Sequence, residues 1–281
     1  MEDRSQESYE ELFRVVKEAF GPDNRAGPMR YSTDFEQAAA NAFSSTFPES
    51  RPAFCYFHLT QSMWRKAADS GVAGLYRLPQ NQELRIQFHA ILGLAFVPPA
   101  NVVHAFNLLQ ENCMEELQEV LTLLENYYVL GKRRGRGRQP PMFPIESWNV
   151  YARTADGIPR TNNSVEGWNR RFNTIVAKAH PNVYALIEAL RGEELYSSAQ
   201  KELLSTGSSP PHKRRKYVKN DDRLQRLCDR FEEFLDEEDG EGDVWKEGVL
   251  GFVRRIGHSA RGVMDFVQEE EEQEEEDDDE A

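Results

Sequence analysis

Two carboxylates and one Cys–His pair are the places where this sequence could do chemistry. Asp34 closes the run MRYSTD, where a short strand passes into a helix. Glu166 lies in RTNNSVEGWNRRFN, Arg160 to Asn173, near the start of a segment with helical spacing. Carboxylates mounted at a strand end and a helix start are groups that hold divalent cations against a phosphate. Each also has a structural reading. Asp34-x-x-Gln37 and Asn163-x-x-Glu166 both fit a capping box, in which the first side chain accepts from a first-turn N–H and the second reaches back. The local patterns leave both readings open.

Cys55-x-x-His58 pairs two metal-compatible residue types, but a zinc site takes four ligands. Residues three apart on one strand point to opposite faces, so the two converge only if the strand ends near Phe57. His89, His104, Cys113 or His180 could complete a set, and spacing selects none of them. Lys132, Arg133, Arg134, Arg136 and Arg138 form a glycine-spaced run without an acid, suited to phosphate contacts that salt would weaken. Trp148 falls in an irregular stretch where its ring could stack on an exposed base; Trp168 falls on an apolar stripe and reads as core. The basic run Lys213 to Lys216, in a Pro- and Ser-rich linker, reads as a nuclear-import signal or phosphate patch.

The elements that would position these residues follow from periodicity and breakers. Tyr9 to Phe20 predicts an amphipathic helix with Leu12, Phe13, Val16 and Phe20 on one side. A strand at Met29 to Thr33, a helix over FEQAAANAFSSTF and a second strand over AFCYFHL come next, then a helix from Gln61 to about Asp69. From about Asn81 to Leu130 the pattern is helical, divided at Pro98 and Pro99. GKRRGRGRQPP predicts a flexible loop and MFPIESWNVYART an extended or irregular stretch. The Glu166 helix then buries Val165, Trp168, Phe172, Ile175, Val176 and Ala179. Val183 to Leu204 is helical, Leu224 to Leu235 marks a short helix, and Trp245 to Phe266 adds one or two more.

Composition sets the class. The 281 residues carry a formal charge of −14, but the acid is concentrated late: Glu269 to Glu280 holds 11 acids and no bases. Residues 1–228 come to +3, compatible with a nucleic-acid-handling body followed by a solvated tail. Three cysteines, Cys55, Cys113 and Cys228, argue for a reducing compartment rather than a disulfide framework. The polar N-terminus and short apolar runs predict an intracellular protein with no membrane segment.

Taken in order, STDFEQAAANAF, FP, CYFHLTQSMWRK, LAFVPPANV, PMFPIESWNVY, RTNNSVEGWNRRFN and HPNVYALIEAL resemble the latter part of the catalytic domain of a Mutator-like element transposase, from about Tyr9 to about Leu204. The resemblance implies an α/β chain, mostly helical by content: a partial ribonuclease H-like fold over residues 1–204 with an all-helical insertion at about 79–145. A basic linker (205–222), a helical extension (223–268) and a disordered acidic tail (269–281) would follow. Asp34 matches the second and Glu166 the third member of the family's Asp-Asp-Glu metal set, and Cys55 and His58 match its Cys-x-x-His signature. The implied chemistry is DNA cutting and strand transfer by two magnesium ions roughly 3.5–4 Å apart. The implied partner is DNA, in the nucleus, a homo-oligomer is compatible with the likeness, and the tail's protein partner is unspecified. The first Asp of the set has no match here, so the chain as it stands is expected to be inactive alone, either a truncated transposase or a non-catalytic nuclear DNA-binding or scaffold protein recruited from one.

Overall fold

Two parallel strands and the helix between them carry the first of the candidate carboxylates. The computed structural model describes residues 5–19, 30–176, 181–208, 215–237 and 242–260. The predicted nuclear-import residues Lys213 and Arg214, His180, Phe20, Ala179 and the acidic tail lie outside them. The described residues fall into two compact units, one within Met1–Arg160 and Asn220–Ala281, the other within Thr161–Lys219. The boundary expected at 204 falls inside the second unit, which runs to Lys219.

In the first unit, α1 (Gln6–Ala19) precedes β1 (Arg30–Thr33), α2 (Gln37–Thr46) and β2 (Arg51–Phe54). β1 and β2 pair in parallel, with Thr33 opposite Phe54, so α2 is the crossover that a parallel pair requires. Apolar residues drive this packing. Phe13 of α1 meets Phe43 edge-on at 4.9 Å, and Tyr31 stacks on Phe43 at 3.8 Å. The rest of the predicted α1 face is not covered: Leu12 and Val16 stay exposed.

The second strand is shorter than AFCYFHL suggests. It stops at Phe54, and α3 (Tyr56–Asp69) begins at once. A tertiary bond decides the switch: the Tyr56 N–H donates to the Arg160 carbonyl at 3.0 Å, while Leu59 N–H already closes a helical turn on Cys55. Aromatic strand propensity gives way to that context.

α4 (Val72–Arg77), α5 (Gln82–Gly93), α6 (Val102–Asn112) and α7 (Gln118–Leu124) form the helical block, and two 3-10 turns, Leu94–Phe96 and Pro99–Asn101, mark the proline break. Leu84, Phe88, Ile91 and Leu92 are buried on one face, and Leu117, Leu121, Leu124 and Tyr128 on another, with Met114 partly buried beside them. A π-helical turn, Glu125–Val129, ends α7. The loop expected over GKRRGRGRQPP is a short hairpin, β3 (Arg133–Arg134) with β4 (Gly137–Arg138). Its base can close only on glycine, because a Cβ on Gly131 would lie 1.8 Å from the Gln139 carbonyl oxygen.

The extended or irregular stretch expected over MFPIESWNVYART contains two short helices, α8 (Ile145–Trp148) and α9 (Tyr151–Ala155). They are held by long-range polar contacts invisible to local pattern. Asn149 Nδ2 donates to the Val97 carbonyl at 2.7 Å, and the buried Arg153 guanidinium donates to the Phe54 carbonyl at 2.9 Å.

The second unit contains α10 (Asn163–Val176) and α11 (Val183–Ser205). α12 (Arg215–Glu237) is longer than its predicted core and belongs to the first unit from Asn220 onward, and α13 (Asp243–Ala260) of that unit packs on α5. Residues 215–222, expected as linker, are the first turns of α12. Phe231 of α12 stacks on Phe252 of α13 at 3.9 Å, and the Trp245 ring lies 4.1 Å from that of His104. Mostly helical content is therefore as predicted. Among the described residues no helix is long and apolar enough to cross a membrane.

Candidate functional site

Parallel pairing brings the ends of β1 and β2 side by side, the edge at which open α/β sheets place their ligands. Thr33 O accepts from Cys55 N–H at 3.1 Å, so Asp34 and Cys55 leave the sheet together. Phe35 fixes the turn from beneath. Its ring stacks on Phe54 at 4.7 Å and meets Phe143 edge-on at 4.9 Å. The neighbouring Asp34 side chain stays 56% exposed.

Asp34 is no helix cap. The N-cap of α2 is Glu36, without a side-chain hydrogen bond, and Gln37 Nε2 donates to Asn41 instead of reaching back. The Asp34 carboxylate faces His58, in the first turn of α3, with Oδ1 3.2 Å from Nδ1. The contact is close, but Nδ1 is buried without an aligned hydrogen bond. A carboxylate there is favoured by the positive end of α3. Cys55 is fully buried at the N-cap position of α3. The Cys-x-x-His pair thus resolves into a core thiol and an imidazole turned to Asp34.

Magnesium fits this pair poorly. It takes oxygen ligands in octahedral array, whereas imidazole suits softer ions, and one carboxylate leaves most of the oxygen coordination of two cations unfilled. Within either unit, no group of three or more His, Cys, Asp and Glu able to hold a metal occurs among the described residues. His89 bonds to the Tyr76 hydroxyl and His104 stacks on Trp245. Burial pushes the Cys113 thiol up to about 11 and the Cys228 thiol up to about 12, the latter with Asp229 adding to the effect. Neither is a thiolate nucleophile at neutral pH.

Glu166 belongs to the second unit. The expected capping box is out of register, since Val165 and Glu166 N–H groups both donate to the Asn162 carbonyl, making Asn162 the cap and Glu166 the fourth helical residue. α10 is held to α11 by Glu193, which is buried and accepts from Trp168 Nε1 at 2.9 Å and from Arg171. Arg171 also lies over the Tyr196 ring, 4.7 Å from its centroid. The stripe expected to be core is not: Val165, Trp168 and Ile175 are exposed.

The basic candidates divide. Arg138 is tied back, to the Gly131 carbonyl and in an ion pair with Glu125. Lys132 places its ammonium 4.3 Å from the centre of the Tyr127 ring. Arg133, Arg134 and Arg136 are exposed on the hairpin. Trp148 cannot be a stacking platform, for it is 1% exposed and its Nε1 donates to the Tyr128 carbonyl at 3.0 Å.

The geometry at Asp34 falls within the segment that known families recognise. Residues 1–62, spanning α1, β1, α2, β2 and the start of α3, match the model of the MULE transposase domain. Over these residues the chain is MULE transposase-like. The MULE-matched segment contains Asp34, Cys55 and His58 and ends before the hairpin and Glu166. No curated protein and no solved structure matches the chain.

One pairing and one residue of this region escape a reading by motif. His58 as the partner of Asp34 lies 24 positions away, and only the parallel pairing of the two strand ends could have signalled it. Arg153 carries no motif; a lone cation between the apolar and amide groups of WNVYART was its only sign.

Proposed function

We propose that this chain is a transposase-derived DNA-binding protein that grips phosphates through the hairpin at 133–138 and does not by itself cut or join DNA. In this reading β1–α2–β2 is part of a ribonuclease H-like fold, and Asp34 and Glu166 occupy the places of its second and third carboxylates. The observation that carries the reading is the company Asp34 keeps. It faces the His58 imidazole, where two-metal chemistry calls for a second carboxylate. Three exposed arginines on a fixed hairpin, with no acid among them, supply the sequence-independent attraction that dominates DNA affinity.

The test is binding to duplex DNA as salt is varied. The Arg133→Ala, Arg134→Ala, Arg136→Ala triple variant is expected to bind more weakly and to lower the slope of log affinity against log salt by about 2–3, near 0.9 for each phosphate no longer neutralised. Asp34→Ala and Glu166→Ala should leave duplex affinity unchanged. An unaltered slope in the triple variant would remove the hairpin from the interface. Nuclear residence belongs to the same proposal, and a fluorescent fusion retained in the cytoplasm would contradict it.

A further inference from the structure

Arg133, Arg134 and Arg136 stand exposed on a hairpin that offers them no carboxylate. Gly131 to Met142 holds no acid, and the one ion pair of the hairpin, among the described residues, uses Arg138 and Glu125. The exposed arginines of α12 differ. Arg226 has Asp222 and Asp229 four and three positions away, and Arg230 has Glu233 three positions away, all neighbours on a helix surface. At the other extreme, Glu269 to Glu280 carries 11 acids in 12 residues. It follows α13, which ends at Ala260 and shares the first unit with the hairpin.

We infer that this acidic run docks on the three hairpin arginines of its own chain and covers them until DNA displaces it. The docking stands on charge and reach, and its consequence for DNA rests on the DNA-binding reading above. The run is suited to imitate a nucleic-acid strand. A polypeptide spans at most about 3.3–3.6 Å per residue, so a chain acidic at nearly every position presents charge at about the 3.4 Å interval of one DNA strand. Carboxylate and phosphate also meet the guanidinium fork in the same way, through two parallel N–H···O bonds.

Reach does not limit the contact. Glu269 and Glu280 lie nine and twenty positions beyond Ala260, so they extend up to about 30 Å and about 70 Å from the helix end. A compact body of roughly 200 residues is about 40–45 Å across. A tether of this kind keeps the run at a local concentration of about a millimolar, which free DNA must outcompete.

The test neutralises the run in the full chain, with Gln for each Glu and Asn for each Asp from Glu269 to Glu280. Duplex binding at low salt should tighten about tenfold, the gain from uncovering a hairpin that is open about a tenth of the time. Screening should erase that gain as salt is raised. With Arg133→Ala, Arg134→Ala and Arg136→Ala also present, neutralisation should gain nothing. A labelled synthetic peptide of residues 265–281 measures the docking without DNA. The neutral-tail chain should bind it about tenfold more tightly than the parent, whose own tethered run competes, and the neutral-tail triple variant should not bind it.

Peptide binding that ignores the three arginines, or that is equal in parent and neutral-tail chains, overturns the inference. So does an equal gain in DNA affinity with and without the arginines, which would make the run a general repellent of DNA. If the arginines capture the peptide but contribute nothing to duplex binding, the docking stands and the DNA-binding reading falls. If they bind duplex DNA and not the peptide, the reading stands and the docking falls.

Discussion

Trp148→Ala should lower the stability of the first unit by about 3–5 kcal/mol, the cost of removing a large buried aromatic. The indole is enclosed, edge-on to Tyr128 at a ring distance of 6.3 Å, and its N–H is spent on the Tyr128 carbonyl. Truncation opens a cavity and strands that carbonyl, and the two penalties add. Trp148→Phe refills most of the volume but leaves the carbonyl without its donor, so a smaller destabilisation of about 1–3 kcal/mol is expected. Denaturant unfolding measures both. A base-stacking tryptophan would behave the opposite way, with unchanged stability and weakened single-strand binding. DNA affinity of the folded Trp148→Phe chain equal to that of the parent is the outcome consistent with the buried position.

The second large effect concerns α13. It meets α5 backbone to backbone. A Cβ on Gly257 would lie 1.9 Å from the His89 carbonyl oxygen, and one on Gly93 would lie 2.3 Å from that of Val253. Alanine normally stabilises a helix by about 1 kcal/mol relative to glycine. At Gly257 the clash should reverse that sign, and forced separation of the helices should cost about 2–3 kcal/mol. Gly251 is on the same helix and meets only the flexible Arg255 side chain, at 3.4 Å. Gly251→Ala should therefore be neutral or stabilising. Thermal unfolding of the two variants gives the comparison, and equal melting temperatures would contradict the close packing. α13 is part of the fold of the first unit, although it lies far beyond the segment that matches the MULE domain.

How far the sequence can be read depends on where each element draws its stability. The β1–α2 unit is legible because its strand, its alternation and its alanine-rich helix agree with one another. The helical block is legible from its buried faces and from Pro98 and Pro99. The β2–α3 boundary is not, since CYFH has the aromatic character of a strand and the bond from Tyr56 to Arg160 spans more than a hundred residues. The hairpin escapes for a related reason. Two residues per strand leave no period to detect, and the closure of Gly131 on Gln139 is a matter of three-dimensional proximity. Trp148 and Trp168 mislead in opposite directions. The first is in an irregular run but plugs the core, and the second is on an apolar stripe but remains 38% exposed. At the candidate site, Asp34 can be picked out by its strand-end position and His58 by its Cys-x-x-His motif, while their pairing cannot, because a contact between a strand end and the first turn of a later helix leaves no spacing signature.

The central claim is that the carboxylates of this chain bind no working pair of metal ions. Supercoiled plasmid DNA incubated with the full chain and either magnesium or manganese tests it most directly, with Asp34→Ala and Glu166→Ala chains alongside. The expected result is plasmid bound in a salt-sensitive manner and no nicked or joined product above the level of the two variants. Robust metal-dependent nicking by the parent chain, abolished by either substitution, would contradict it.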